Sequence, residues 1–553
     1  MIKKMLLNKI RYKGLSAAII FAILIFALLI RLFRAYSGLP YLYYWDEPQI
    51  ASNALQMLKT GSFNPHFYSY GTLTIYINYL IDVLHYLYLM GQPEGARAFL
   101  NSIWDIKTVW DTKWHWTISH PTFYYMNRIV NTVFGAATVL MVYLIGNQLF
   151  TFRWASLIAA FSIAAIGVHV SASAIISPDI PAAFFITATV LFSLMFIDIR
   201  RTRYFVGALI LSGCAVATKY NSALVLIVPA VSLVVVYFNN RSEFKFIWLG
   251  MLLGIPLVTF FVCMPYALLD SAQFLSGMGS ELRHYKVQGH PGAMSEPGWQ
   301  HAVFQMKQFQ DNIGNVGLLI FCIGVLNVVR VPKLHLILLL LIIYFIYMVQ
   351  MKVNFHRNFI WFYPFIALFY GSACELIFVI GRKIEHKFSM PIATRFCVLI
   401  NCIIVLLFCS TAWSEMSNSL IIKATKDSRT LIIDKLDKLN GNKIYIADEL
   451  RIHNQDLRRL STPHQIMKLS DMYSCPSKVS DGFLVVPSQI WMMYPSADDK
   501  KMVASTTEKL NSIAKNKIVL RENPSGGGTS LDIYTINPEI LVIDGALFAD
   551  CEK

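Results

Sequence analysis

Long apolar runs separated by short polar connectors fill the chain from about residue 15 to residue 413. Runs of this length can cross the hydrocarbon core of a bilayer as helices. Lipid accepts only backbones whose polar groups are bonded internally, so each span is predicted to be an α-helix. The predicted spans are residues 15–36, 122–150, 153–172, 180–198, 204–218, 221–238, 246–266, 313–329, 334–350, 358–380 and 396–413. The pattern therefore predicts a polytopic α-helical membrane protein with about 11 transmembrane helices.

The basic residues between these spans decide the orientation. Alternate connectors carry the cations Arg153, Arg200, Arg201, Arg203, Arg241, Lys245, Arg330, Lys333, Arg382, Lys383, Lys387 and Arg395. The positive-inside rule places these connectors and the lysine-rich N-terminal tail on the inner side. This orientation requires that the apolar stretch 73–90 does not cross. Its Asp82 and His85 favour a helix that lies in the interface.

The same orientation divides the chain into regions. Residues 1–413 form the predicted transmembrane domain, with the N-terminus inside. The first external loop, 37–121, is expected to carry in-plane helices, and a second large external loop spans 267–312. The tail 414–553 is expected outside. It combines helical spacing at 420–439 with the β-rich runs KIYIA, FLVVPS, KIVL and LDIYTI, which predicts a small C-terminal α/β domain.

Composition supports a membrane protein and excludes other classes. The chain has 553 residues, of which 56% are hydrophobic and only 15% are charged, against about 25% charged residues in an average soluble domain. The formal net charge of +15 could indicate a nucleic-acid partner. Because the cations lie in connectors between spans, orientation explains them, and no nucleic acid is expected.

Two adjacent acids, Asp46 and Glu47, follow the first span in the stretch YYWDEPQ. Pro48 suits the first turn of a helix, and apolar residues then recur at helical spacing up to Gly61. The pattern predicts a short amphipathic helix on the outer membrane surface with both acids at its N-terminus. Carboxylates stabilise that end by about 0.3–1 kcal/mol. Helix capping and catalysis are therefore both open interpretations of the pair.

A third acid, Asp179, lies between prolines in the stretch SPDIP, where one apolar run gives way to the next. The topology places this break on the same membrane face as Asp46. One interpretation is a polar loop tip. The shared face favours the other, in which Asp179 is a further carboxylate of a site.

Cations gather at the same predicted face. Lys219 and Tyr220 lie in the turn TKYN, and His356 and Arg357 lie in the stretch MKVNFHRN. Arg128, near the start of the second span, adds another positive charge. Each cation alone is explained by a side chain that extends to the lipid headgroups. Together they would suit an anionic lipid headgroup.

Carboxylates and cations at one membrane face are the groups needed for sugar transfer from a lipid phosphate. A carboxylate can deprotonate the acceptor hydroxyl as general base, and cations can stabilise the phosphate as it leaves. A lipid tail would lie in a membrane groove. Aromatic surfaces for a sugar are offered by Tyr43, Tyr44, Trp45, Phe67, Tyr68 and Tyr70.

The order of these motifs resembles the GT-C glycosyltransferases of the protein O-mannosyltransferase and aminoarabinose transferase type. Members of that family pair an acidic motif just after the first span with an Asp in the next external loop. The matching segments here are WDEPQIASNALQMLKTG and SPDIPAAFF, with further likeness in NPHFYSYGTLTIYINYL, NRIVNTVFGAATVLMVYLIGNQLF, ATKYNSALVLIVPA and HRNFIWFYPFIALFYG. The resemblance covers residues 1–413 and does not extend into the tail.

The resemblance implies a GT-C fold and an inverting glycosyltransferase that uses a polyprenyl-phosphate sugar. Asp46 would be the catalytic base, and Glu47 and Asp179 would support the acceptor or the geometry. Lys219 and Arg357 would bind the lipid phosphate. The relatives generally need no metal, so no cofactor is expected. Further candidates for donor binding are Arg128, Tyr220 and His356.

Three points stay open after the resemblance. Many bacterial relatives have Lys-Pro-Pro where this chain has Tyr70-Gly71-Thr72, so a phosphate-binding lysine is missing and the donor sugar is undetermined. The acceptor is a lipid, a polysaccharide or a protein. The plain basic N-terminus and the absence of eukaryotic retention signals favour a bacterial cell inner membrane.

Two alternative functions remain. A transporter or lipid flippase would also be polytopic, but such proteins place ionisable groups mid-span and often contain repeats, whereas most charges here lie at span ends. A metal-dependent oligosaccharyltransferase-like enzyme would need carboxylates around a divalent ion. Asp46, Glu47 and Asp179 could supply them.

Overall fold

Helices account for nearly all of the described chain before residue 440, and the described strands all follow it. The structure is a computed structural model. It describes residues 2–42, 44, 46–92, 121–239, 241–290, 292–389, 391–424, 426–439, 443–450, 452–474, 482–488, 501, 504–505, 508, 518–522 and 539–544. The chain divides into two compact units. The first comprises Met1–Ala35, Gln49–His85 and Met126–Leu420, and the second Tyr36–Pro48, Tyr86–Tyr125 and Ile421–Lys553.

The helices of the described residues are numbered here in chain order. They are α1 Ile2–Ala35, α2 Glu47–Thr60, α3 Leu73–Met90, α4 Pro121–Leu149, α5 Arg153–Ala165, α6 Gly167–Ala172, α7 Asp179–Ile199, α8 Thr202–Thr218, α9 Ile227–Asn239, α10 Ile247–Cys263, α11 Tyr266–Leu269, α12 Ser271–Arg283, α13 Trp299–Leu326, α14 Leu334–Val349, α15 Tyr363–Phe388, α16 Pro391–Ala424, α17 Ser428–Leu436, α18 Asn454–Leu457 and α19 Leu469–Ser474. Turns of 3₁₀-helix at Tyr220–Leu226 and His356–Phe362 lead into α9 and α15. The predicted polytopic helical class is confirmed.

The number of crossings is a separate matter. Eight of the described helical segments are long and apolar enough to cross a membrane, and four shorter apolar helices accompany them. The eleven predicted spans fall on seven of the long segments and on the four shorter helices. The remaining long segment is α3. Because length and composition do not distinguish a crossing helix from one in the interface, its in-plane position stays a prediction.

Helix α3 separates its polar and apolar side chains by face. Thr74, Asn78 and Asp82 are buried on one side, whereas Leu80 and Leu84 are exposed on the other. Spacings of four residues place each set along one face of a helix. Exposed leucines beside buried polar groups are the arrangement expected where a helix faces lipid.

One predicted span is interrupted. The segment 153–172 forms two helices, α5 and α6, which meet at Ile166 in extended backbone with ψ of 112°. The last carbonyl oxygens of a helix lack partners within it. Arg31 of α1 supplies them, donating to the carbonyl oxygens of Ile163 at 3.3 Å and Ala164 at 3.1 Å. The uniform hydropathy of this segment conceals the break.

Glycines bring neighbouring helices close to α15. A Cβ built at Gly324 of α13 would lie 1.9 Å from the carbonyl oxygen of Phe369, which is shorter than any real contact. A Cβ at Gly371 of α15 would lie 2.5 Å from the carbonyl oxygen of Ala155 in α5. Small residues allow membrane helices to pack backbone against backbone. Helix α15 is thus held between α13 and α5, and with it the 3₁₀ turn that precedes it.

The second unit contains a sheet. Its described strands are β1 Lys443–Ala447, β2 His464–Met467, β3 Gly482–Pro487, β4 Ile518–Glu522 and β5 Ile540–Asp544, in the order β2-β1-β3-β5-β4. β1 pairs in parallel with β2 and β3, and β5 is antiparallel to β3 and β4. The apolar side chains of β1, β3 and β5 pack with Ile432, Ile433 and Leu436 of α17. The predicted small C-terminal α/β domain is confirmed.

The strand predictions differ in outcome. The runs KIYIA, FLVVPS and KIVL correspond to β1, β3 and β4. The run LDIYTI, residues 531–536, lies outside the described residues. β2 was not predicted, because three of its four side chains are exposed and it lacks an apolar pattern. The helical region predicted at 420–439 is divided between the end of α16 and α17.

Candidate active site

Asp179 and Lys219 form the centre of the candidate site in the first unit. Asp179 is the first residue of α7, and Lys219 follows the last residue of α8. These helices are joined by a short connector and pack along each other, so the start of α7 lies beside the end of α8. Lys219 Nζ lies 2.5 Å from Asp179 Oδ1, and the two side chains are only 12% and 6% exposed. They form a buried ion pair.

Asn358 is the second partner of Lys219. Its Oδ1 accepts a hydrogen bond from Lys219 Nζ at 2.7 Å and one from the Tyr285 hydroxyl at 3.3 Å. Its backbone carbonyl accepts from the Tyr344 hydroxyl at 2.9 Å. The amide oxygen is thus committed to donors, and the amide nitrogen makes no hydrogen bond within the described part of the chain. Asn358 therefore presents a fixed N–H donor beside the ammonium group.

Two loops that carry these residues are joined by backbone hydrogen bonds. The amide of Lys352 donates to the carbonyl of Tyr285 at 2.8 Å, and the amide of Ser295 donates back to the carbonyl of Lys352 at 3.0 Å. The amide of Asn354 donates to Ala293 at 3.1 Å. Tyr285, Ala293 and Ser295 are thus tied by backbone bonds to the segment that leads into the 3₁₀ turn at His356–Phe362.

Arg357 lies at the edge of this cluster. Its guanidinium stands 4.0 Å from the centre of the Phe355 ring, a distance suited to a cation–π interaction. Its charge also acts on Tyr285. Burial and the charge of Glu281 raise the pKa of Tyr285 above its ordinary value, while Arg357 opposes that rise. The phenol is therefore neutral and able to donate at ordinary pH.

His356 is placed differently from the prediction. Its Nδ1 lies 2.8 Å from Gln305 Oε1, and its Nε2 lies 2.6 Å from the Tyr363 hydroxyl. The ring is buried. With both nitrogens in hydrogen bonds inside the protein, this geometry does not support a contact between His356 and a phosphate. The ring instead joins α13 to the start of α15.

Tyr220 is also occupied within the protein. Its hydroxyl lies 3.0 Å from the carbonyl oxygens of both Tyr68 and Tyr70. A Cβ at the next residue, Gly71, would lie 2.0 Å from the carbonyl oxygen of Ala217. The segment that differs from the Lys-Pro-Pro of bacterial relatives therefore packs tightly against the end of α8. Tyr220 holds this segment rather than offering a free hydroxyl.

Arg128 is a buried residue of α4. Its Nη1 donates to the carbonyl oxygen of Ala35, the last residue of α1, at 3.0 Å. A guanidinium at the end of a helix suits both the unpaired carbonyls and the helix dipole. This contact stabilises the end of α1.

Asp46 and Glu47 lie at the start of α2, as the sequence predicts. Glu47 is the first residue of the helix and is fully buried, whereas Asp46 precedes it and is partly exposed. Both belong to the second unit, and Asp179, Lys219 and Asn358 belong to the first. Of the aromatic residues expected to face a sugar, Tyr43 and Trp45 lie outside the described residues.

A metal centre is not evident among the side chains that the structure describes. In that part of the chain no group of three or more His, Cys, Asp or Glu residues is arranged to hold an ion. Metal independence was expected from the family resemblance alone, and it stays a prediction.

Residues 125–264 match the sequence model of the family described as dolichyl-phosphate-mannose-protein mannosyltransferase. The predicted resemblance is confirmed for this part of the chain. The matched part runs from within α4 to the end of α10, and it contains both Asp179 and Lys219. No curated protein matches the chain.

Solved structures with a similar arrangement share little sequence with the chain. ArnT from Cupriavidus metallidurans, bound to undecaprenyl phosphate, gives a TM-score of 0.46 at 10% identity, with 96% of this chain and 98% of that chain covered. AglB from Archaeoglobus fulgidus, in complex with an inhibitory peptide and a dolichol-phosphate, gives 0.46 at 12% identity, with 90% and 72% covered. The S. cerevisiae protein O-mannosyltransferase Pmt1-Pmt2 complex bound to the sugar donor gives 0.35 at 18% identity, with 51% and 38% covered.

Two members of the cluster were not predicted from the sequence. Asn358 lies in the same stretch as His356 and Arg357, but as a neutral amide it adds nothing to the charge pattern of the sequence. Tyr285 lies in the π-helical turn His284–Gln288, which has no distinctive sequence pattern. Backbone hydrogen bonds from Lys352 and Val353 to its carbonyl hold Tyr285 near Asn358.

Proposed function

We propose that the protein is an integral membrane glycosyltransferase that moves a sugar from a polyprenyl-phosphate donor to an acceptor hydroxyl on the outer membrane face. The main support is the buried Asp179–Lys219 pair with Asn358 beside it, because both charged residues fall inside the segment that matches the mannosyltransferase family. The cluster combines a cation with fixed N–H donors, which is the chemistry that recognises a phosphate.

The proposed reaction is a single inverting displacement. The Asp46 carboxylate takes the proton of the acceptor hydroxyl, and that oxygen attacks the anomeric carbon of the sugar. The bond between this carbon and the phosphate oxygen breaks, and both electrons stay with the lipid phosphate. Lys219 and Arg357 stabilise the phosphate as it leaves. Glu47 and Asp179 have positioning roles, Asp179 by holding Lys219.

The finer assignments belong to the same proposal. The sugar is a hexose or a pentose, and the acceptor is a lipid, a polysaccharide or a protein. Arg128, Tyr220 and His356 support the donor site through the segments that they hold rather than through direct contact. The setting is a bacterial inner membrane with a cytoplasmic N-terminus, and the reaction needs no metal.

The direct test replaces the proposed base. Asp46→Asn should reduce transfer of labelled sugar from polyprenyl-phosphate donors in isolated membranes by about a hundredfold or more, because general bases contribute about 10²–10⁴-fold. Asp311→Asn, the same change at an exposed acid of α13, is the control and should transfer at the normal rate. Both variants should express and insert normally.

Full transfer by Asp46→Asn would overturn the proposed mechanism. A chelator tests the alternative of a metal-dependent oligosaccharyltransferase-like enzyme. Transfer that persists with a chelator supports metal independence. Transfer that is lost with the chelator and restored by a divalent ion would favour the oligosaccharyltransferase-like alternative.

A further inference from the structure

Tyr41 lies in the same short segment as Asp46 and is completely buried in the second unit. Its hydroxyl donates to Asp456 Oδ2 at 2.6 Å and accepts from the amide of His453 at 3.2 Å. The guanidinium of Arg429 stands 3.8 Å from the centre of its ring. The C-terminal domain therefore contacts this side chain on its ring and on its hydroxyl.

The groups around Tyr41 are themselves fixed by charge. Arg429 is bonded to both carboxylate oxygens of Asp427, at 2.8 and 2.9 Å. Asp456 also accepts from Thr430 at 2.9 Å and from Arg459 at 3.1 Å. Each buried charge thus has an opposite charge beside it. The pocket for Tyr41 is preorganised, because its walls are held by bonds that do not involve the tyrosine.

The hydroxyl of Tyr41 has both a hydrogen-bond acceptor and a donor in this pocket. Burial raises the pKa of Tyr41 above its ordinary value, so the phenol stays protonated and donates to Asp456. Leu42 is also fully buried, and Tyr44 is nearly so. The segment is thus held to within two residues of Asp46. Loss of the Tyr41 hydroxyl would remove one of the donors to the Asp456 carboxylate and would take away the acceptor of the His453 amide.

We propose that Tyr41 is a positioning residue of the transferase, through which the C-terminal domain holds the segment that carries the base Asp46. The inference rests on the proposed function and gives the C-terminal domain a part in it. Tyr41 does not touch the reacting atoms. It acts by restricting where the Asp46 carboxylate can stand, and misplacement of a reacting group by about 1 Å can cost about a hundredfold in rate.

The test is Tyr41→Phe in the full-length protein, assayed with radiolabelled undecaprenyl-phosphate sugars. The change removes one hydroxyl and keeps the ring under Arg429. Turnover should fall about tenfold, since a hydrogen bond to a charged group is lost, while KM for the donor stays within about twofold of the wild-type value. The donor contacts lie in the first unit and are unchanged.

Two further variants sharpen the result. Asp456→Asn removes the charge that also accepts from Thr430 and Arg459, so turnover should fall at least as much as in Tyr41→Phe. The losses should not add in the double variant, because both changes act on the bond between Tyr41 and Asp456. Tyr445→Phe is the matched control. It removes a hydroxyl from another buried tyrosine of the same domain, in β1, and should leave turnover unchanged. Turnover within about twofold of wild type in Tyr41→Phe would overturn the inference.

Hydrogen exchange separates this inference from the proposed function. Amides of residues 36–48 should exchange faster in Tyr41→Phe than in the wild type or in Tyr445→Phe, whichever substrate the protein uses. If no polyprenyl-phosphate sugar turns over in the wild type, the proposed function fails and the exchange result alone decides whether Tyr41 holds the segment. Unchanged exchange at 36–48 would overturn that role.

Discussion

At the scale of single residues, Asp179 and Lys219 supply each other's counter-charge in a buried ion pair. Both side chains are almost fully buried, and the other close partner of the ammonium is the neutral oxygen of Asn358. A neutral amide cannot replace the missing charge if one member of the pair is removed. Removal of either member therefore leaves a buried charge without its counter-charge.

Removal of one member of the Asp179–Lys219 pair should therefore destabilise the protein. Lys219→Met is expected to lower the free energy of unfolding by about 3–5 kcal/mol, because it leaves a buried carboxylate without a counter-charge. The double change Asp179→Leu with Lys219→Met should recover most of the loss. Thermal unfolding of the purified protein in detergent measures both.

The chain offers a matched pair for comparison. Lys333 and Asp198 also form an ion pair, at 2.6 Å, but their side chains are 28% and 36% exposed. Lys333→Met should cost only about 0–1 kcal/mol. If Lys333→Met were as costly as Lys219→Met, burial would not be the cause.

Residue types were easier to predict than residue partners. Asp179 and Lys219 could be placed at the same face because the span count fixes which helix ends meet there. The ion pair between them could not be predicted, because the hydropathy pattern does not show in which direction a side chain points. Arg128, Tyr220 and His356 show the same limit. Each lies at a plausible position for a phosphate ligand, yet each is bonded to protein groups that the sequence does not identify.

At the scale of helices, the glycines around α15 determine how closely the bundle packs. Gly324 has the carbonyl of Phe369 directly against it, with no space for a methyl group. Helix α15 follows the turn that carries Arg357 and Asn358, so its position is also the position of those side chains.

Gly324→Ala should therefore destabilise the protein although alanine is the better helix former. Overpacking costs about 1–3 kcal/mol, which exceeds the gain of up to about 1 kcal/mol that alanine brings to a helix. Gly250→Ala in α10 is the control, because nothing lies within 4 Å of a Cβ built there. The control should leave the midpoint of thermal unfolding unchanged or raise it. Equal effects at the two positions would contradict close packing at Gly324.

The helices of the predicted membrane-spanning part could be predicted from the sequence, whereas the breaks within them were harder to predict. Every apolar run became a helix because no other backbone is satisfied in hydrocarbon. Interruptions were missed, since Ile166 is as apolar as its neighbours. In α13 the break at Gly314, where φ is 68°, lies one residue after the predicted start of the span at 313, and the part of the helix from Trp299 to this break was not predicted.

At the scale of the whole molecule, the predicted orientation depends on the basic connectors and on the prediction that α3 does not cross. A fused enzyme that is active only on the outer side of the membrane reports on which side the fusion point lies. Alkaline phosphatase fused after Lys553 should be active, and the same fusion after Arg201 should be inactive. If α3 crossed, the two results would be exchanged, which would move every later connector to the other side.

The bond between Tyr41 and Asp456 joins residues 415 positions apart. During synthesis the segment that carries Asp46 leaves the ribosome long before its pocket exists. At about 5–20 residues per second, the wait is roughly 20–80 s. In that interval the intervening apolar segments can be inserted into the membrane, while Tyr41 lacks its contacts with Asp456 and Arg429. The segment that carries Asp46 is thus expected to gain these contacts only after the C-terminal domain has been made and folded.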